Sequence, residues 1–369
     1  MSKKKIVIAS ILKPLLDSRH YERFALSLAK TNKYEVNIIA NGEKKPDTDH
    51  IRFYSNGPHG HQLIRRLQLQ WSTCLHTIRL KPNLFIVCTV ELLPFAFLYS
   101  FLTGCKVIYD VQENYTLNFK HLNEYGWTHR LILAPLVTGL EKLSSHFVDH
   151  YFLAEQCYED QLNFINSRFT VLENKTALEA SISRGKLREK EKSKFLFSGT
   201  ISTYSGIYKI IELIRFMQSL KQDFEFTIIG QVIDTRIWKE LQKIDVDCIR
   251  LKIDKSPVPH DQIIQEILSA DIGVIAYESQ PVNAKKVPTK LFEYSAYGLP
   301  FLVEANSYWL EVGSKLGRAI PFDFDNIKPD SLLQMHELLS SNTNTQNQKL
   351  ALWNTEEPKL LTSIVTLLK

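Results

Sequence analysis

The chain has 369 residues, of which 44% are hydrophobic and 23% are charged. This length exceeds what one hydrophobic core usually organises, so two domains are expected, and the apolar content excludes a largely disordered chain. The net charge of +5, from 45 basic and 40 acidic residues, is too small to indicate a nucleic-acid partner. Five scattered cysteines form no C-x-x-C pair, which predicts reduced, buried thiols in a cytoplasmic protein.

Two apolar segments could be a signal peptide or a membrane span. The first, Met1 to Ser10, has a basic head, but its apolar run is too short for a signal peptide, so a strand is expected. The second, Leu84 to Thr103, is interrupted by Glu91 and Pro94 and is expected to divide into a strand and a helix. Neither segment therefore predicts a leader or a transmembrane helix.

Short apolar runs alternate with helical patterns through the first half of the chain. Continuous apolar strands separated by helices predict a parallel sheet covered on both faces, which is a doubly wound half. The expected strands are Ile6–Ala9, Val36–Ala40, Leu84–Thr89, Val107–Asp110, Tyr151–Ala154 and Thr170–Leu172. The expected helices are Tyr21–Lys30, Gln62–Arg79, Pro94–Leu102 and Thr128–Ser145.

The helix expected after His61 carries an apolar stripe with a basic flank. A stripe at helical spacing predicts packing against the first sheet. A membrane surface is the alternative, because the flank is basic. The stripe consists of Leu63, Leu67, Trp71, Leu75 and Ile78, and the flank of Arg65, Arg66 and Arg79.

The segment 176–193 separates two strand-rich blocks. It interleaves Lys and Arg with Glu and Ser and lacks an apolar period, which predicts a linker between domains at 1–175 and 194–350. The second block repeats the strand–helix rhythm. Its expected strands are Lys194–Gly199, Phe224–Gly230, Cys248–Ile253, Ile272–Tyr277 and Phe301–Glu304, and its expected helices include Ile207–Leu220, His260–Leu268 and Thr289–Tyr297.

The first candidate binding element is the strand–loop–helix junction at 197–207. Gly199 and Gly206 allow tight turns, and ligands of open α/β sheets bind beyond the strand ends, near helix N-termini. The hydroxyls of Thr200, Ser202, Thr203 and Ser205 could bond to phosphate oxygens. A small polar loop that caps a helix is an equally good interpretation.

The second candidate element is the segment Val287 to Pro300, a predicted helix that Gly298 ends. Glu293 shares a helix face with Thr289 and Lys290, by spacings of four and three. Its carboxylate can accept two hydrogen bonds from a ribose diol, while Lys290 and the helix dipole attract a diphosphate. The simpler interpretation is a solvent-exposed Lys–Glu pair.

The segment Val287-Pro-Thr-Lys-Leu-Phe-Glu-Tyr-Ser-Ala-Tyr-Gly-Leu-Pro300 resembles the donor-site helix of GT-B fold, group 1 (family 4) retaining glycosyltransferases. Further segments resemble the family in order along nearly the whole chain: Asp17–Arg23, Val107–Glu113, Phe197–Thr200, Ala270–Tyr277 and Trp353–Leu361. The resemblance implies an α/β protein of GT-B architecture, with two Rossmann-like doubly wound domains facing a central cleft. It also implies that a terminal helix at 351–369 packs back on the first domain.

The activity implied by the resemblance is transfer of a sugar from a nucleotide-diphosphate sugar to a glycan or lipid-linked glycan acceptor. The sugar would retain its anomeric configuration, and the expected setting is cell-surface polysaccharide synthesis. No cofactor and no metal are expected, because helix dipoles and cations stabilise the leaving diphosphate. The expected location is the cytoplasm, with peripheral contact at the inner face of the membrane.

By the same resemblance, Glu293 would bind the donor ribose, and the loop from Gly199 to Ser202 would approach the diphosphate. The remaining expected donor-site residues are Thr200, Lys285, Thr289 and Lys290. The catalytic candidates on the acceptor side are Asp17, Arg19, Gln112 and Glu113.

The chain departs from the family pattern at several positions. The first acid of the family's E-x7-E pattern falls on Lys285, and the two cations after the donor-loop glycine fall on Thr200 and Ser205. Gln112 stands where a histidine is common, and it can orient a hydroxyl but cannot shuttle a proton. The lysines Lys285, Lys286 and Lys290 could replace the lost charge or form an exposed cluster.

Other interpretations are a GT-B fold nucleotide-sugar epimerase, which requires an acid and a base in its pocket, and a catalytically impaired GT-B scaffold or binding protein. A metal site at His59 and His61 lacks a third ligand at a recognised spacing, so a surface loop is expected there. Glu91, Asp110 and Glu113 fall near strand ends, where each could act as an acid or base or cap a helix.

Overall fold

The computed structural model describes residues 3–43, 45–58, 63–121, 129–177, 192–244, 247–280, 283–317, 319–330 and 345–369. The chain divides into two compact units: Met1–Ala177 together with Trp353–Lys369, and Leu178–Leu352. His59, His61 and residues 178–191 of the expected linker lie outside the described residues.

The first unit contains one parallel sheet. Its strands are β1 (Lys4–Pro14), β2 (Tyr34–Asn41), β3 (Ile51–Ser55), β4 (Leu84–Val87), β5 (Lys106–Val111), β6 (His150–Leu153) and β7 (Phe169–Val171). They are ordered β3-β2-β1-β4-β5-β6-β7, and every pairing is parallel. All four residues of β4 are buried, as expected for a central strand covered on both faces. The sequence patterns miss β3, a short edge strand with a mixed burial pattern.

Helices cover both faces of this sheet. The helices are α1 (Leu26–Lys30), α2 (Leu63–Leu80), α3 (Leu93–Thr103), α4 (Tyr115–His121), α5 (Ala134–Ser144), α6 (Tyr158–Gln161) and a terminal helix (Glu357–Leu367). Two π-helical segments, Ser18–Ala25 and His129–Leu133, lead into α1 and α5, where continuous α-helices were expected. Residues of α2, α3 and α5 share a core on one face of the sheet. Leu360 and Ile364 of the terminal helix belong to the core on the other face.

The described side chains of the α2 stripe, from Leu67 to Ile78, are exposed, so the predicted packing of this stripe against the sheet is wrong. Leu67 and Trp71 are 57% and 68% exposed. The inner face of the helix instead presents Leu69, Thr73 and Thr77, which are fully buried. Thr73 and Thr77 each donate a hydrogen bond to the carbonyl four residues earlier, both at 2.9 Å. Because these hydroxyls are satisfied within the helix, a less apolar face can pack inward.

The second unit repeats the architecture with six parallel strands. They are β8 (Ser193–Thr200), β9 (Phe224–Gln231), β10 (Ile249–Asp254), β11 (Ile272–Ile275), β12 (Phe301–Glu304) and β13 (Ala319–Phe322), ordered β10-β9-β8-β11-β12-β13. Its helices are α7 (Ile207–Ser219), α8 (Thr235–Gln242), α9 (His260–Ser269), α10 (Thr289–Ala296) and α11 (Ser307–Leu316). Renumbered within each unit, both sheets contain the Rossmann order 3-2-1-4-5-6. The two predicted doubly wound halves are thus confirmed.

Close backbone approaches in the second unit require glycine at two positions. Gly206 precedes α7 with φ +85°, and a Cβ there would lie 1.8 Å from the carbonyl oxygen of Ala276. Gly230 has φ +151°, and its Cβ would lie 1.7 Å from the carbonyl oxygen of Gly199. A larger residue at either position would have to displace the backbone of a neighbouring strand end.

The helices and the cysteines bear on the predicted absence of a membrane span and on the predicted thiols. No helix within the described ranges is long and apolar enough to cross a membrane. All five cysteines are free thiols, four of them buried and Cys248 half-buried.

Candidate functional site

Helix α10 is fixed directly against the second sheet. A Cβ on Gly273 of β11 would lie 2.5 Å from the ring of Tyr294, so the absence of a side chain there lets the ring pack on the strand. The hydroxyl of Tyr294 lies 2.9 Å from Oγ of Ser198 on β8. Pro288 immediately precedes the first helical residue, and Gly298, with φ +66°, follows the last turn. These contacts hold Glu293, the residue immediately before Tyr294, in a defined position.

Glu293 carries a buried carboxylate between the ammonium of Lys290 and the imidazole of His260. Its Oε1 lies 2.6 Å from Nε2 of His260, the first residue of α9, and its Oε2 is paired with the ammonium of Lys290. Burial by itself would raise the pKa of Glu293, but the charge of Lys290 and the hydrogen bonds of His260 and Lys290 outweigh burial and lower it to about 2. The simpler expectation of a solvent-exposed Lys–Glu pair is therefore wrong.

Lys290 lies over Gly199, at the end of β8 where the strand leads into the loop before α7. Gly199 has φ +117°, and a Cβ placed on it would lie 3.1 Å from Cε of Lys290. The lysine side chain is 12% exposed, so its ammonium is held between the loop glycine and the Glu293 carboxylate. This places a cation beside a loop in which Thr200 and Ser205 stand at the family's two cationic positions.

The rest of the loop is ordered by its own hydrogen bonds. The amide of Ser202 donates to Oγ of Ser205 at 2.9 Å, and the amide of Ser205 donates to Oγ of Ser202 at 3.2 Å. Ser205 is buried, whereas Thr200 is exposed at the end of β8. The serines thus shape the loop, and Thr200 keeps an accessible hydroxyl.

The segment before α10 is anchored from α11. Asn306, which caps α11, donates to the carbonyl oxygen of Ala284 at 3.1 Å, and the indole of Trp309 donates to that of Lys286 at 2.7 Å. Lys285, which lies between these anchored carbonyls, is exposed, as is Thr289 at the start of α10. The Lys285 side chain has no ion pair with the described residues, so Lys290 is the lysine that meets the site carboxylate.

Three of the acceptor-side candidates form a cluster within the first unit. Arg19 is buried, and its Nη2 lies 2.7 Å from Oδ1 of Asp110. Asp110 is the last residue but one of β5, so it lies near the carboxyl end of that strand. Its Nη1 donates to the Leu172 carbonyl at 2.7 Å and to Asn174 at 2.8 Å. Burial would raise the pKa of Asp110, but Arg19 and His20 lower it to about 2. Every described contact of Arg19 is therefore internal to the unit.

Gln112 and Asp17 join this cluster through His20. Nε2 of Gln112 lies 2.5 Å from Nε2 of His20 and donates to Oδ2 of Asp110 at 2.9 Å. Oδ1 of Asp17 accepts from the amides of Arg19 and His20 at 2.9 and 3.1 Å, so it caps the π-helical segment. The structure thus brings Asp17, Arg19 and Gln112 together around a buried histidine.

Glu113 points away from that cluster. Its Oε2 accepts a hydrogen bond from Asn118 of α4 at 3.0 Å, and its side chain is exposed. Of the four acceptor-side candidates, Glu113 therefore presents the most accessible acid or base.

Two histidines at these sites were not singled out from the sequence. His260 was placed only at the start of a helix, and its bond to Glu293 depends on the packing of α9 beside α10. His20 lies inside the Asp17–Arg23 motif, between the candidate residue Arg19 and Tyr21. A histidine in a motif at one strand end and an aspartate at another, Asp110, form a possible acid–base pair, and this combination is the signal that could have identified His20.

Two groups of side chains among the described residues have the spacing of metal ligands: His20 with Cys88 and Asp110, and Glu304 with Asp323 and Asp325. A cation of the protein already pairs with each group. Arg19 binds Asp110, and Nζ of Lys209 lies 2.7 Å from Glu304 and 2.8 Å from Asp325. Burial also raises the pKa of the Cys88 thiol, which disfavours the thiolate that a metal requires. Neither donor set fits a metal ion well.

Solved structures are similar to this chain over its whole length. Sucrose-phosphate synthase from Thermosynechococcus elongatus aligns with a TM-score of 0.73 at 12% identity, covering 99% of both chains. Anabaena HepE, in complex with UDP and glucose, aligns with a TM-score of 0.66 at 13% identity, covering 98% of this chain and 100% of that one. A candidate UDP-N-acetylglucosamine 2-epimerase from Listeria monocytogenes aligns with a TM-score of 0.61 at 12% identity, covering 98% of this chain and 96% of that one.

No protein-family model and no curated protein sequence matches the chain. The synthase and HepE are GT-B glycosyltransferases, and the likeness at this low identity is a likeness of fold. The chain therefore has the GT-B fold, as the sequence resemblance predicts. It is an α/β protein of two parallel-sheet units, an architecture that it shares with these solved structures.

Proposed function

We propose that this chain transfers a sugar from a nucleotide-diphosphate sugar to an acceptor. The observation that carries the proposal is the buried, ionised carboxylate of Glu293, held by Lys290 against the Gly199 loop. A buried carboxylate with a strongly lowered pKa at a strand-end loop is typical of a ligand site rather than of surface charge.

In this proposal each part of the site meets a different part of the donor. The carboxylate of Glu293 accepts hydrogen bonds from the two ribose hydroxyls, which replace the contacts that Lys290 and His260 now make with its oxygens. The freed ammonium of Lys290, together with the Gly199 loop, binds the diphosphate and stabilises the charge on the leaving group. Lys290 thereby does the work of the cations missing at Thr200 and Ser205, and transfer needs no metal and retains configuration.

The acceptor is proposed to be a glycan or a lipid-linked glycan in cell-surface polysaccharide synthesis, handled in the cytoplasm at the inner face of the membrane. Support comes from the first unit, where Glu113 is exposed and Gln112 is fixed by the Arg19–Asp110 pair. In this proposal Glu113 contacts the acceptor directly, while Asp17, Arg19 and Gln112 shape the strand end that carries it.

A nucleotide-sugar epimerase is the second candidate. His20 supplies the acid–base chemistry that the sequence motifs lack, and the Listeria structure is similar in fold. His20 is only 1% exposed and is enclosed by Asp17, Asp110 and Gln112, so it is poorly placed to reach a sugar. Transfer is therefore the better supported function.

Calorimetric titration with UDP- and GDP-sugars tests the proposal. Binding of one donor is expected, followed by release of free nucleotide that depends on an added acceptor glycan. Epimerised sugar nucleotide without acceptor would establish the second candidate instead. Binding of neither class of donor would overturn both enzymatic functions and favour a scaffold.

A further inference from the structure

Three helices of the first unit lie in one layer. Leu69 of α2, Ala96 of α3 and Val137 of α5 all belong to the same core, which covers one face of the seven-stranded sheet. Helix α2 packs on β1 and β2, α3 packs on the adjoining β4 and β5, and α5 packs beside α3. Arg66 and Gln70 of α2 also bond to Glu91, just before α3, both at 2.7 Å. The sides of α2, α3 and α5 that face away from the sheet therefore form one outer surface, here called the three-helix face.

The three-helix face is strongly apolar. Each helix contributes large side chains that the sheet does not cover. Phe101 of α3 and Trp71 of α2 are 79% and 68% exposed, and Ile132, in the π-helical segment that leads into α5, is 63% exposed. Leu67, Leu98 and Leu136 are more than half exposed as well. Single exposed apolar residues are ordinary, but large ones repeated on three neighbouring helices mark a surface that binds something.

The charges on this face have one sign. Glu141 is the single acid in the sequence of α2, α3, α5 and the π-helical segment before α5, and it is buried. Burial also raises the pKa of Glu141 to about 7. Arg79 and Lys142 are exposed, and Arg66 neutralises the neighbouring Glu91. An exposed apolar surface with cations and no exposed acid matches an interface rich in negatively charged lipid headgroups.

We propose that the three-helix face docks the protein on an anionic lipid bilayer, with Trp71 and Phe101 entering the headgroup–acyl boundary. A second copy of the chain fits this face less well, because pairing two such faces would oppose their cations. The proposal rests on the proposed transferase function only for its purpose, which is to bring the enzyme to a lipid-linked acceptor. Its test does not depend on donor binding.

Co-sedimentation of the full chain with vesicles tests the docking. The chain is expected to bind vesicles of phosphatidylcholine mixed with phosphatidylglycerol, to bind pure phosphatidylcholine more weakly, and to lose affinity as salt rises. The double variant Trp71→Gln, Phe101→Gln is expected to bind the anionic vesicles at least about tenfold more weakly than the wild type, because two apolar insertions are lost. The matched control is Ile233→Gln, which removes an apolar side chain that is 69% exposed in the second unit, and wild-type affinity is expected for it.

A second measurement locates the contact. Lipids brominated on their acyl chains are expected to quench part of the wild-type tryptophan fluorescence, and Trp71→Phe, which stays apolar, is expected to bind as wild type but lose that quenching. No binding to anionic vesicles at low salt would overturn the proposal, as would equal binding by the double variant. A dimer that the double variant dissociates would assign the face to a second copy instead.

The docking and the transferase function fail separately. Calorimetric donor titration of the double variant is expected to match wild type, because Trp71 and Phe101 lie in the other unit from Glu293. Loss of vesicle binding with normal donor binding would therefore support the docking alone. Vesicle binding without any donor binding would leave the docking standing and remove the transferase.

Discussion

Replacing Glu293 by glutamine imitates the protonated carboxyl and removes the negative charge that Lys290 and His260 surround. The pKa of Glu293 falls from its ordinary 4.5 to about 2 in the folded protein. One pKa unit corresponds to about 1.4 kcal/mol, so the ionised carboxylate stabilises the second unit by about 3 kcal/mol near neutral pH. Because the folded pKa is lowered, this stabilisation is complete above pH 4.5 and is lost as the pH falls through about 2. Glu293→Gln is therefore expected to cost about 3 kcal/mol near neutral pH and about 1 kcal/mol at about pH 3.

Urea unfolding of the wild type and the variant at both pH values measures this difference in the free energy of unfolding. Following the unfolding by amide hydrogen exchange in peptides of α10 restricts the measurement to the second unit. The control is Glu311→Gln, which breaks an exposed Lys–Glu pair on α11. It is expected to cost less than about 0.5 kcal/mol at either pH, because exposed pairs contribute little. A cost of Glu293→Gln that does not change with pH, or that equals the control, would refute the assignment of a charged, stabilised carboxylate.

Substitutions at four further positions test the forces within each unit by urea unfolding. Arg19→Met is expected to cost about 3 to 5 kcal/mol, because it leaves the buried Asp110 without its cation, and replacing both residues by apolar ones should recover much of the loss. Burial raises the pKa of Glu141 from 4.5 to about 7, so wild-type stability should fall as the pH rises between these values, and Glu141→Gln should gain up to about 3 kcal/mol above pH 7. Gly206→Ala is expected to cost more than about 2 kcal/mol because its Cβ meets a backbone carbonyl, whereas Gly139→Ala, within α5 and with open space around it, should gain about 0.5 to 1 kcal/mol.

Most of the fold could be predicted from the sequence because apolar runs report burial directly. Central strands such as β4 and β11 are buried along their whole length, so their sequences are continuous apolar runs. The edge strands β3 and β13 were missed because they are short and partly exposed. The predicted orientation of α2 was wrong because periodicity shows that a helix is amphipathic but does not show which face meets the sheet. The inner threonines can pack against the sheet because their hydroxyls donate hydrogen bonds within the helix.

The candidate site could be predicted only in part, because its geometry depends on contacts between distant segments. The resemblance and the spacing of α10 identified Glu293 and Lys290. Sequence spacing could not show that His260, 33 residues earlier, would reach the same carboxylate, or that Lys290 would lie over Gly199. It also could not show that Ser205, whose hydroxyl was expected to bond to phosphate, would be buried inside its own loop.

The affinity of Glu293→Ala for the nucleotide sugar that the wild type binds tests the central claim most directly. Calorimetry is expected to show a loss of about 1 to 3 kcal/mol in binding free energy, since the ribose hydroxyls lose their acceptor. Glu311→Ala, which removes a carboxylate from an exposed Lys–Glu pair of the same unit, is expected to bind as the wild type does. Unchanged affinity in Glu293→Ala would contradict the assignment of this carboxylate to the donor.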